Sequence, residues 1–179
     1  MLKLTIPKQE LYDEEKNEFT YIDEKTINLE HSLISISKWE SIHEKPYLTN
    51  DEKTIEERID YIKCMTLTQN VPDDIYLGLT SENLLTIDNY INSKMSATWF
   101  SNTNNRTSRE IITSELIYYW MVEYGIPFEC QKWHLNRLMT LIRVCSVKKE
   151  PPKKMSRNEI LARNARLNAA RRARLHTRG

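Results

Sequence analysis

The amino-acid sequence predicts a mainly α fold: a helical domain with a small N-terminal antiparallel β element and a C-terminal basic helical arm. Three observations carry this expectation. Only three glycines occur among 179 residues, too few to supply the positive-φ turns of a sandwich or barrel. Period-two alternation of apolar residues is confined to about residues 1–30, and helical spacing takes over from Ser32. The closing stretch MSRNEILARNARLNAARRARLHTRG is rich in Ala and Arg, both strong helix formers, and opens with an S-x-x-E capping box at Ser156 and Glu159.

The elements follow in order. Leu2, Leu4 and Ile6 alternate with Lys3 and Thr5 and are closed by Pro7, as in a half-buried strand. Further strands are expected at 10–12, 19–22 and 26–29, with DEEKNE as a hairpin loop. Leu33, Ile36 and Trp39 suit a helix capped by Ser32 and ended by Pro46. Ile55, Ile59, Ile62 and Met65 mark the next, with Asn50 or Asp51 as cap. Val71-Pro72-Asp73-Asp74 interrupts the chain before Thr80 or Ser81 caps a helix carrying Leu84, Ile87, Ile91 and Met95 on one face. SNTNNRTS (101–108) is a polar loop.

Two apolar helices are then expected at the centre. One presents Ile111, Ile112, Glu115, Leu116, Tyr119, Trp120 and Tyr124 and ends at Gly125 and Pro127. The other presents Leu135, Leu138, Met139, Leu141, Ile142, Val144 and Cys145, and the short GIPFE connection makes the pair an antiparallel hairpin. SVKKEPPKK has no apolar periodicity and two stiffening prolines. The domain expectation is therefore a body over 1–147, a Pro/Lys linker over 148–154 and an arm over 155–179.

Charge follows the same division. From Lys148 onward there are eleven basic side chains and two carboxylates, a balance of +9, whereas the whole chain carries only +1 and the rest is therefore −8. Opposite halves of this kind suggest an interaction arm on an acidic body. The arm's apolar residues, Ile160, Leu161, Leu167 and Leu175, form a stripe too thin to stand alone. No stretch approaches the roughly 18 apolar residues of a membrane span, and MLKLTIPKQELYDEE lacks the pattern of a secretion signal. Cys64, Cys130 and Cys145 form no CxxC and read as reduced thiols of a cytosolic compartment.

The search for chemistry is negative. Cys130 and His134 share i, i+4 spacing on an expected helix, but no further Cys or His supplies a metal set or an orienting carboxylate, and both read as packing residues. Glu30-His31 and the segment from Trp39 to His43 read as surface or half-buried positions. Asp13-Glu14-Glu15 with Glu18 reads as a solvated turn, and Asp73-Asp74 leads to no nuclease pattern. With no GxGxxG, Walker or GxSxG motif, the expectation is no enzyme, no cofactor and no metal. Tyr118-Tyr119-Trp120 and Trp133 suit core or interface. Trp99 and Phe100, past the end of a helix, are candidate partner anchors. Arg163, Arg166, Arg171, Arg172 and Arg174 are the candidate contacts of the arm.

LEHSLISISKWESIHEKPYL, DYIKCMTL, INSKMSATWFS, SREIITSELIYYWMVEYGIPFECQKWHLNRLMTLIRVCS and the closing PPKKMSRNEILARNARLNAARRARLHTRG together resemble a group of tailed-bacteriophage proteins, the tail assembly chaperones. The resemblance runs from about residue 29 to the end. It implies a non-enzymatic protein of the host cytoplasm that binds the tape measure protein during tail assembly, with the tail tube protein as a further partner. Self-association through the arm is an additional expectation from the division of charge. Two alternatives stand beside this reading. One is a structural virion protein, a tail or connector component whose arm embraces a neighbouring subunit. The other is a nucleic-acid-binding protein acting through its arginines, which the acidic body disfavours.

Overall fold

The computed structural model describes residues 1–13, 18–49, 51–100, 110–149 and 156–176. It has the mainly α architecture, with an N-terminal antiparallel β element and a C-terminal basic helix. The chain divides into two units, Met1–Ser146 and Val147–Gly179.

In the first unit, β1 (Leu2–Ile6) pairs with β4 (Lys25–Leu29) and β2 (Gln9–Asp13) with β3 (Glu18–Ile22), both antiparallel. Leu4 faces Ile27 across the first ribbon. Leu4, Ile6, Ile27 and Leu29 are buried on one side, as a period of two requires. The second ribbon keeps Tyr12, Phe19 and Tyr21 exposed and buries Ile22 at its end. The hairpin segment 14–17 and the side chains of Asp13 and Glu18, part of the acidic-turn expectation, lie outside the described residues.

The body is organised around α1 (Leu33–His43), which packs against α2 (Ile55–Met65), α4 (Ser114–Tyr124) and the 3₁₀ turn Phe128–Lys132. Ser32 caps α1 through Ser35 N–H, and the helix stops at Glu44 in the left-handed region, before Pro46. Leu33, Ile36 and Trp39 are wholly buried. Trp39 and His31 (2% exposed) are thus core residues and not the surface or half-buried positions expected. His31 is closed in by Tyr61 of α2 and by His134, whose ring centre lies 5.1 Å away. Glu40, also buried, uses its two carboxylate oxygens to accept from the backbone N–H groups of Tyr47 and Ser114, each at 2.8 Å. One carboxylate thereby fixes both the exit of α1 and the start of α4.

Several boundaries differ from expectation. Thr54, not Asn50 or Asp51, caps α2, because Glu57 completes a capping box with it. Ile55 becomes the first helical residue and is exposed, while Tyr61, Ile62 and Met65 face inward. α3 (Ser81–Ile91) is capped by Thr80 and packs on β1. Met95 lies beyond its end at positive φ, off the expected apolar face. α4 begins three residues later than its apolar run suggests, with Thr113 as cap. Its buried side is Ser114, Ile117 and Met121 against α1, so Ile111 and Tyr119 point to solvent. Gly125, at φ 65°, closes it in the left-handed conformation that glycine adopts without strain.

α5 (Leu135–Lys149) buries Leu135, Leu138 and Ile142, one face at steps of three and four. Its first turn is tied to the centre by Leu135 N–H donating to His31 C=O at 2.7 Å. The expected α4–α5 hairpin core is therefore corrected: α1 holds the centre, and an open groove lies between α4 and α5. α5 also continues through Val147 to Lys149, so the first part of the expected linker is helical. Residues 150–155, which hold the rest of it, lie outside the described residues, as does 101–109, which holds the expected polar loop 101–108. In the second unit, α6 (Arg157–Leu175) starts with the Ser156–Glu159 capping box, ends at His176 in the left-handed region and has no buried residue.

Candidate partner-binding surface

The groove between α4 and α5 has a volume of about 530 Å³ and is lined by Phe100, Trp120, Tyr124, Met139, Ile142 and Arg143, together with Thr140 and Ser146. Its residues arrive at helical spacing. Trp120 and Tyr124 are one turn apart on α4, and Met139 and Arg143 one turn apart on α5. Phe100 closes the groove from the segment after α3, its ring centre 4.3 Å from the Arg143 guanidinium, a cation–π contact. A single cation in an otherwise uncharged wall can stack on aromatic rings or pair with a carboxylate.

The expected anchors divide. Phe100 is a groove wall, half-buried; Trp99 stands out at 77% exposure. An exposed tryptophan beside an apolar groove is the kind of residue that dominates binding energy at interfaces. Arg163, Arg166, Arg171, Arg172 and Arg174 are all on α6, exposed, and belong to the other unit. The structure thus yields two candidate surfaces, one apolar on the body and one cationic on the arm. Tyr124, Met139 and Arg143 were not singled out as binding residues by the sequence, and Trp120 only as a residue of core or interface. Their i, i+4 pairing was the available signal, and it is the same signal that a buried core produces.

Cys130 and His134 are not on one helix. Pro127 starts a 3₁₀ turn that holds Cys130, and an antiparallel bridge from Ser32 keeps His134 extended until α5 begins. Both are buried. Nε2 of His134 lies 3.0 Å from Tyr90 C=O and Nδ1 3.3 Å from Asn136 N–H, so the ring donates with one nitrogen and accepts with the other as a neutral imidazole. Burial pushes its pKa down accordingly. Among the described residues no group of three or more His, Cys, Asp or Glu side chains is arranged to hold a metal ion, and no helix is long and apolar enough to cross a membrane. Comparisons with protein-family models, curated proteins and solved structures return no match.

Proposed function

We propose that this protein is a non-enzymatic tail assembly chaperone that binds the tape measure protein in the host cytoplasm, with the tail tube protein as a further partner. The observation that carries the reading is the open α4–α5 groove, with Trp99 exposed next to its wall residue Phe100. A tape measure protein is long and helical, and it exposes apolar stripes until the tube closes around it. An amphipathic helix laid into an aromatic groove, anchored at i, i+3 and i+4, is the recognition mode that such a surface serves. The titratable groups support binding over catalysis, because the buried histidines are held neutral within the packing and the groove contributes one guanidinium with no acid or base beside it among its lining residues. The sequence resemblance from residue 29 onward points the same way.

The test is co-purification of a tape measure segment with the full chain and with a Trp99→Ala/Phe100→Ala variant. Capture is expected to weaken at least about tenfold, the loss of one anchor's worth of binding energy. The melting temperature should move by no more than about 2 °C, as for residues outside the core. A large fall in melting temperature would assign the pair to packing, and undiminished capture would remove the groove from the interface.

A further inference from the structure

The surfaces left over by the groove complement one another. α4 carries two carboxylates and no cation, and its outward side presents Glu115, Tyr119, Val122 and Glu123, all exposed. At about 100° per residue these four fall within roughly a third of the circumference. Tyr119 and Val122 are 59% and 64% exposed, an apolar strip between two acids. Trp120 and Tyr124, which line the groove, lie more than about 100° round the helix from the centre of this strip. α6 has the opposite design. Ile160, Leu161, Leu167 and Leu175 also span about a third of its circumference, an arc they share with Asn164 and Asn168, and all four are exposed. Arg171 lies among them, Arg163 and Arg174 flank them on one side and Arg172 on the other, whereas Arg166 faces away.

We propose that the α6 arm of one copy docks on the outward face of α4 of a second copy, apolar strip on apolar strip with arginines against Glu115 and Glu123. The occupant is argued from charge and from pattern together. A polyanion such as DNA would match the arginines but would leave Leu161, Leu167 and Leu175 uncovered and meet an acidic body. The α4–α5 groove is a poor alternative for the arm, since Arg143 in its wall would repel it. Glu115 sits in the first turn of α4, where a hydrogen bond to its own backbone N–H leads the effects that hold its carboxyl below the usual range. It therefore stays charged throughout the neutral pH range. Every copy offers one arm and one acidic face, so two copies satisfy each other in a closed pair, and charge complementarity sets the register.

Sedimentation of the full chain over a range of concentration and salt tests this. Wild type is expected to self-associate, more weakly as salt rises. Tyr119→Ser/Val122→Ser and Arg171→Glu/Arg174→Glu should each weaken association about tenfold or more, with unchanged melting because all four positions are exposed. Glu115→Lys/Glu123→Lys protein mixed with Arg171→Glu/Arg174→Glu protein should recover association that neither shows alone. A wild-type monomer at every concentration overturns the proposal, including one whose arm is bound to its own α4. So does association that none of these variants alters, or an arm whose arginines govern salt-dependent binding to unrelated duplex DNA while self-association is untouched.

Discussion

Trp39→Ala is expected to cost the body about 3–5 kcal/mol, the range for removing a fully buried tryptophan. The indole is wholly buried on α1, its ring centre 4.4 Å from that of His43 and 5.2 Å from that of Tyr47. Its Nε1–H donates to Glu57 C=O at 2.9 Å, so the same side chain joins α1 to the first turn of α2. Truncation opens a cavity where the elements around α1 meet and removes the indole donor that ties α1 to α2. Domain stabilities of roughly 5–15 kcal/mol leave little after such a loss. Leu138→Ala, a wholly buried residue of α5, belongs to the same class at about 2–5 kcal/mol. Urea denaturation of the full chain measures both, and a change below about 1 kcal/mol for Trp39 would mean that α1 is not the centre of the fold.

Acid should act on the body before its carboxylates titrate. The His31 pKa is pushed down to about 3, first by burial and then by the neighbouring His134, whereas an unfolded chain protonates histidine near 6.5. Above about pH 6.5 the residue is neutral in both states and stability is unaffected. Below it the unfolded chain takes up a proton that the fold refuses, so stability falls by about 1.4 kcal/mol per pH unit. That amounts to roughly 2 kcal/mol by pH 5 and on the order of 3 kcal/mol by pH 4. His134, also lowered by burial, adds in the same direction. Denaturation midpoints at pH 7, 6 and 5 are expected to decline for wild type. A His31→Gln variant, weaker at neutral pH because the His31–Tyr61 contact is lost, should show a flatter profile. Equal slopes for the two proteins would mean that His31 is not the group responsible.

What the sequence made legible was local. Alternation in Leu2, Leu4 and Ile6 located β1, hydroxyl caps at Ser32, Thr80 and Ser156 located three helix starts, and Gly125 located the end of α4. Periodicity failed where a polar contact overrode it. Ile111 and Ile112 extend the apolar run of α4, but Glu40 takes the Ser114 N–H from a position 74 residues earlier in the chain and sets the start there. His31 and Trp39 looked peripheral because their partners, Tyr61, His134 and Glu57, come from other segments. The groove was hidden for a related reason. Trp120, Tyr124 and Met139 have the spacing of core residues, and only their placement around an open space distinguishes a binding wall from packing.

The most direct measurement is amide hydrogen exchange of the full chain with and without a tape measure segment. Binding in the groove predicts added protection across Ser114–Tyr124 and the part of Leu135–Lys149 that lines it, together with residues 99–100, and little change in the β1–β4 ribbon. Complex formation that leaves α4 and α5 unprotected, or no complex at all, would contradict the chaperone reading.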